Sequence, residues 1–314
     1  MNLYNDYKLM HQKTSDQGTI VTIGNFDGLH LGHRTIINKC IDLSIKEHLG
    51  FALCTFEPHP AEFFFNDRAK LRLLTPESKY RMMQKMGVET VLAQHFVSRF
   101  AAIEPEDFIT EVLINALRAK IVVVGADFKF GIKRSGDINL LKKMGLKLGF
   151  KVIGEELLQD ENSSISSSRI RRLLLDGQTE HAAKLLGRFH MVPGRVIHGF
   201  KAGRKMGFPT INLDTRNVLI PGDGIYAAFC ELEDSSFINA AVYTGERPTS
   251  GRGKSLEAHL LNFNRDIYGT DVKIHFVKKI RGDLTFSDTG ELKKQIAMDI
   301  KTITDILENT DEQQ

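Results

Sequence analysis

Cysteine is scarce in this chain. Cys40, Cys54 and Cys230 are odd in number and far apart, and they form neither a CxxC pair nor a disulfide framework. A reducing compartment, the cytoplasm, is the expected location. Long hydrophobic runs are also missing. No segment approaches the roughly 18 uninterrupted apolar residues that cross a bilayer, and the N-terminal MNLYNDYKLMHQK lacks the apolar core of a signal peptide. Charge of one sign is absent too: 42 basic residues face 39 acidic ones, a formal net charge of +3. No basic stripe results, so neither nucleic acid nor membrane is an expected partner, while small anionic ligands remain open. There is no internal repeat and no dinucleotide-binding GxGxxG. GRGKS (251–255) imitates the tail of a P-loop, but Pro248 stands where its leading glycine belongs. Composition leaves the oligomeric state open.

At 314 residues the chain has room for two ordinary domains. The first half alternates short apolar runs with amphipathic stretches. Strands are predicted at 19–26, 51–60, 88–96, 120–131 and 150–157. Helices are predicted at 34–50, 78–87, 106–119, 137–149 and 168–187. That alternation argues for a parallel α/β sheet with crossover helices. From about Met191 the texture changes, and strands follow one another without helices, punctuated by Gly, Asp and Asn. This is the pattern of an antiparallel sheet or small barrel. A final amphipathic stretch, 289–309, closes the chain. The expected domains are 1–187 and 188–314.

The stretch GNFDGLHLGH (24–33) joins a predicted strand to a predicted helix, which puts it at the carboxyl edge of the sheet, where α/β folds bind ligands. A helix N-terminus offers free backbone N–H groups and a positive dipole end, both suited to phosphate. Gly24, Gly28 and Gly32 let the backbone approach a ligand closely. His30 and His33 are three apart, on one helix face, where two imidazoles can donate hydrogen bonds to charge developing on a phosphate.

GNFDGLHLGH resembles the GxFDxxHxGH signature of the nucleotidyltransferase superfamily, and ISSSRIR (165–171) stands where that superfamily carries a serine-rich segment ending in arginine. VVVGADFKFG (122–131) is similar to the GxDFxFG segment of prokaryotic FAD synthetases, and TFEPHP (55–60) matches them as well. The resemblance implies a Rossmann-like module that adenylylates FMN. His30, His33 and Arg171 would be its catalytic residues. Gly24, Phe26, Asp27, Gly32, Ser167 and Ser168 would face ATP and its departing pyrophosphate. Phe56, Pro58, His59, Asp127, Phe128 and Phe130 would meet the flavin.

In the second half, GRVIHGFKAGRKMGFPTINL (194–213) resembles the riboflavin kinase signature, with Ile211 in place of alanine as its one mismatch. Thr210 and Asn212, two apart on a strand, share one face and can meet one Mg²⁺–phosphate group. The glycine-rich loop, with Gly199, Gly203, Arg204 and Gly207, can fold over nucleotide phosphates through its N–H groups. Glu257, in SLEAHLLNF, resembles the kinase's general base. Arg247 and Arg281 belong to segments that line the flavin side in that family. There the pattern departs: Tyr243 stands for an asparagine, Ser250 for an aromatic residue and Asp283 for a glutamate.

The resemblance implies a two-domain fold, an α/β nucleotidyltransferase module followed by a mainly antiparallel barrel closed by a C-terminal helix. It implies a bifunctional riboflavin kinase/FMN adenylyltransferase using ATP, Mg²⁺ and flavin substrates. The alternative is an FAD synthetase whose kinase-like domain has lost catalysis, as the three departures suggest. A flavin-binding sensor or nucleic-acid-binding regulator without catalysis is a third reading, opposed by the intact His30, His33 and Arg171 and by the modest net charge.

Overall fold

In the computed structural model, residues 1–10, 17–64, 72–161, 163–198, 206–215, 217–246 and 254–311 are described. By their contacts they group into two compact units, Met1–Ala69 with Pro76–Ile165, and Lys70–Thr75 with Ser166–Gln314.

The first unit is built on six parallel strands: β1 (Asn2–Tyr4), β2 (Thr19–Ile23), β3 (Gly50–Glu57), β4 (Thr90–His95), β5 (Ala119–Gly125) and β6 (Lys151–Glu155). Their spatial order is β1-β4-β3-β2-β5-β6. Every residue of β2 is buried, as expected for a central parallel strand covered by helices on both faces. The chain builds outward from β2 through β3 and β4, then returns to lay β5 on the other side of β2. That reversal is the switch point at which a crevice opens beyond the strands' carboxyl ends. The covering helices include α1 (Leu31–Glu47), α2 (Pro76–Lys85), α3 (Phe108–Ala116) and α4 (Ile138–Leu148). α3 has the wide five-residue spacing of a π-helix; Leu117 N donates to Val112 O at 3.0 Å just beyond it. Phe108, Val112 and Leu113 on α3 pack with Val122, Val124 and Phe130 in the core.

The second unit opens with two helices, α5 (Ser167–Leu175) and α6 (Thr179–Leu186), where the sequence predicts one stretch. Gly177, at φ +77°, turns the chain between them, in the left-handed region open to glycine. A closed antiparallel barrel follows: β7 (His190–Ile197), β8 (Ile211–Thr215), β9 (Gly224–Glu231), β10 (Phe237–Glu246), β11 (Lys254–Leu260) and β12 (Asp271–Arg281), in the order β7-β8-β11-β10-β9-β12. Val192, Leu213, Tyr226, Val242, Leu256, Ala258 and Phe276 fill its interior. α7 (Thr289–Glu308) lies against the outer wall, burying Ile303 and Leu307 with Phe229 and Val277. Asp288 caps its N-terminus by accepting from Gly290 N and Glu291 N.

The boundary expected from sequence at 187/188 and the one drawn by contacts at 165/166 differ by α5 and α6. These helices group with the barrel because buried Thr179 donates to Val277 O at 3.1 Å and Gly222 N donates to Leu174 O at 2.8 Å.

Candidate active sites

Three loops lie at the carboxyl edge of the first unit's sheet: 24–30 after β2, 58–60 after β3, and 126–128 after β5. The first is tightly wound. Phe26 (φ +49°), Gly28 (φ +84°) and Leu29 (φ +43°) all lie in the left-handed region, which is strained for the two bulky residues. Burial holds them there: Phe26 is 1% exposed and Leu29 fully enclosed. Gly24 N donates to Cys54 O at 3.0 Å, and Thr55 Oγ1 to Asn25 O at 3.1 Å, pinning the loop to β3.

The helix begins at Leu31, three residues before the predicted start, so that His33 stands in its first turn and His30 just outside it. His30 is the N-cap of α1, and its Nδ1 accepts from His33 N at 3.3 Å. An accepting Nδ1 leaves the proton on Nε2, which is therefore a donor. The two rings stack, with centroids 3.6 Å apart and an interplanar angle of 18°, and the Phe26 ring lies 5.2 Å from His33. Gly32 allows the stack, since a Cβ there would fall 3.3 Å from the His30 ring. His33 Nδ1 is buried without a hydrogen-bond partner among the described residues. Burial above all, then His30 and Lys79, holds the His33 imidazole well below the usual histidine range, so it is uncharged at neutral pH. A neutral His33 imidazole at a helix N-terminus is a donor, not a point charge. Asp27 is buried beside the two rings, 5% exposed.

On the neighbouring loops, Phe56 packs against Phe96 and Phe100 at 5.8 and 6.0 Å. The Glu57–Pro58 peptide is cis, and His59 Nδ1 accepts from Ala61 N. Asp127 is exposed. Phe128 and Phe130 stack at 5.5 Å with 13° between planes, but Phe130 is a core residue against Phe108. Of this pair, only Phe128 is partly exposed, with Phe130 as its backing. Ser167, Ser168 and Arg171 stand on α5, in the unit that carries the barrel; Ser166 caps that helix by accepting from Arg169 N. Lys79, which nothing in the sequence marks, is buried on α2 with Nζ 3.4 Å from Thr55 Oγ1 and 3.9 Å from Glu57 Oε2.

The barrel site is built on the outer wall. Ile211 and Leu213 pack toward the interior, as do Leu256 and Ala258, so Asn212 and Glu257 face outward. The register places Asn212 opposite Glu257, and Glu257 opposite Tyr243, a row across three strands. Glu257 and Tyr243 of that row border a cavity of about 530 Å³ between the wall and α7, lined also by Thr210, His259, Arg281 and Asp283. A second cavity, of about 380 Å³, opens beside it between Pro209, Leu260, Phe263, Arg265 and Tyr268, and Thr210 borders both. His259 Nδ1 donates to Pro209 O at 2.7 Å, fixing the turn that carries Thr210. The Arg281 guanidinium is committed to α7: Nη2 and Nε donate to Asp299 at 2.7 to 3.2 Å, and Nη1 to Gly282 O. Arg281 thus borders the cavity as the partly buried half of an ion pair with buried Asp299. Gly207, at φ +93°, is described; Gly199, Gly203, Arg204, Arg247 and Ser250 lie outside the described residues.

Residues 12–169 match the family model described as FAD synthetase, and residues 186–307 match that described as riboflavin kinase. A bifunctional riboflavin kinase/FMN adenylyltransferase of Buchnera aphidicola (subsp. Schizaphis graminum) is 38% identical over 93% of this chain and 95% of its own. The Escherichia coli K12 protein of that name is 38% identical over 90% and 91%. The Bacillus subtilis one is 33% identical over 91% and 92%. A Streptococcus pneumoniae crystal structure described as a macrolide-efflux protein superimposes with a TM-score of 0.86 at 29% identity, over 96% of this chain and 98% of that one. No described helix of this chain is long and apolar enough to cross a membrane.

Proposed function

This chain belongs to the bifunctional riboflavin kinase/FMN adenylyltransferase family, and we propose which of its residues carry each transfer. The enzyme is a transferase that phosphorylates riboflavin to FMN with ATP and adenylylates FMN to FAD with release of pyrophosphate. Matches to both family models, together with bifunctional relatives that span nearly the whole chain, favour this over a monofunctional FAD synthetase.

In the first unit an FMN phosphate oxygen attacks the α-phosphorus of ATP. The His30/His33 pair donates to the oxygens on which charge develops, and the loop amides beside it receive the phosphates. Ser167, Ser168 and Arg171 are assigned to the departing pyrophosphate through the family resemblance. The flavin rests on Phe128, supported by the Phe56, Pro58 and His59 segment.

In the barrel, Glu257 takes the proton of the primary alcohol as its oxygen attacks the γ-phosphorus, and ADP leaves. The observation that carries this assignment is Thr210 bordering two cavities: the smaller suits the nucleotide, and the larger, with Glu257, suits the flavin. Thr210 and Asn212 offer a hydroxyl and an amide oxygen, the hard donors that Mg²⁺ combines with substrate phosphates, and they would hold it. When bound, Mg²⁺ spreads the charge of the transferring phosphoryl group. Tyr243 and Asp283 border the larger cavity without closing it. Three cysteines without a disulfide support a cytoplasmic enzyme.

The test is chromatography of products from the purified chain with ATP and Mg²⁺, supplied in parallel with riboflavin or FMN. FAD from both substrates, with FMN as intermediate, is expected. FAD from FMN alone refutes the kinase assignment.

A further inference from the structure

Neither transfer as described uses Lys79. It stands on α2 with 6% of its surface exposed, and a buried ammonium is costly unless charge and hydrogen bonds meet it. Its surroundings are specific. From β3, Thr55 Oγ1 accepts from Nζ at 3.4 Å and Glu57 Oε2 lies at 3.9 Å. From α2 itself, the Tyr80 ring lies 5.4 Å away. Thr55 then donates to Asn25 O at 3.1 Å, inside the strained loop that ends at His30. One line of contacts therefore runs from α2 through β3 into the loop of the imidazole pair. Glu57 leads directly into the Pro58–His59 segment on the same sheet edge.

We propose that Lys79 is a positioning residue of the adenylyl-transfer site: through Thr55 it holds the loop that presents His30 and His33, and it supplies a buried positive charge beneath them. This rests on the reading of His30 and His33 given above. The charge also acts on His33. With burial and His30, it favours the uncharged His33 imidazole, the form that donates without holding a fixed charge.

The experiment uses the full-length chain with Lys79→Met and Thr55→Val, measuring FAD formation from FMN across pH and FMN formation from riboflavin in parallel. For Lys79→Met, kcat for FAD formation is expected to fall about 100-fold, the scale of a misplaced reacting group. The acid limb of its pH profile is expected to move to higher pH, because His33 has lost a repelling charge. Riboflavin phosphorylation is expected to hold. Thr55→Val breaks the link and keeps the charge, so a fall of about tenfold with the acid limb unmoved is expected; this variant decides the positioning claim if Lys79→Met fails to fold. A Lys79→Met rate within about threefold of the parent, a loss with the acid limb unmoved, or a Thr55→Val rate equal to the parent's overturns the proposal. Absence of FAD formation in the parent chain instead overturns the adenylyltransferase reading itself.

Discussion

The two proposed sites would serve related chemistry, substitution at a phosphorus of ATP, yet they are assembled in opposite ways. In the first unit ten consecutive residues, Gly24 to His33, supply a strained loop, a helix N-terminus and two stacked imidazoles. Geometry there is local, and the side chains that support it are buried beneath. In the barrel the row Asn212–Glu257–Tyr243 draws on three strands, and its position depends on register. A slip of one residue in any of these strands would turn that strand's member of the row into the barrel core. The difference teaches where each site is vulnerable: the first to loss of loop support, the second to loss of the wall and of the helix that packs on it.

The largest effects should separate the sites outright. His33→Ala is expected to cut FAD formation from FMN by at least about 100-fold while leaving FMN formation from riboflavin intact. Glu257→Gln is expected to do the reverse, by about 100-fold or more. Product chromatography with each substrate reads both. If either variant, still folded, lost both activities, the two-site assignment would be wrong.

Asp299→Asn probes the support of the barrel site. Asp299 is 6% exposed and holds Arg281 in a two-pronged pair, with Gln295 donating to it at 2.8 Å. Removing its charge leaves a partly buried guanidinium uncompensated, at a cost of about 3 kcal/mol. Thermal unfolding should show the loss, and the KM for riboflavin should rise. An unchanged melting temperature would mean that the pair contributes little to holding α7 on the wall.

Acid should unfold the barrel unit in two stages. His190 is buried, its Nε2 donates to Leu219 O at 2.7 Å, and burial pushes it down to about 4. Its folded pKa lies below the ordinary 6.5, so its contribution is full above that value and is lost as pH falls toward 4. Glu231 is held down to about 2, chiefly by the hydrogen bond from His275 and then by Lys273. Its contribution, roughly 2 kcal/mol after discounting for solvent screening, is present above about 4.5 and lost as pH falls toward 2. Denaturant unfolding at stepped pH should show a Glu231→Gln variant losing the second stage while retaining the first.

The smallest effect concerns a pair of residues two apart. A Cβ on Gly245 would fall 2.1 Å from the Tyr243 hydroxyl, so the phenol lies along the strand over that glycine. Gly245→Ala should push the ring into the larger cavity and lower kcat/KM for riboflavin by about tenfold, with Tyr243→Asn restoring much of it in the double variant. Strictly additive effects would show that the two positions are independent.

Much of the architecture was legible. β2, β5 and β3 are apolar runs of strand length, α1 and α4 carry helical periodicity, and the change at Met191 marks the barrel, because burial imposes a period on the sequence. The imidazole pair was legible for the same reason as its geometry is local. Other features were not. β1 is three residues at the sheet edge, too short to show a period. The wide turn of α3 has no compositional mark. Phe130 and Phe128 read alike in sequence, yet one is core and the other borders the loop.

By itself the sequence determined the order of elements, the motif at the head of α1 and the spacing of Thr210 and Asn212, because each rests on residues within a turn or a strand of one another, whereas Glu257 meets Asn212 only through register. Only the tertiary structure decided that α5 and α6 pack with the barrel, that Arg281 is bound to Asp299, and that Lys79 lies under the Asn25 loop. Each of these depends on which distant surfaces meet and exclude water. Burial of a charge, unlike the period of a strand, is a property of the packed chain and leaves no pattern in the sequence.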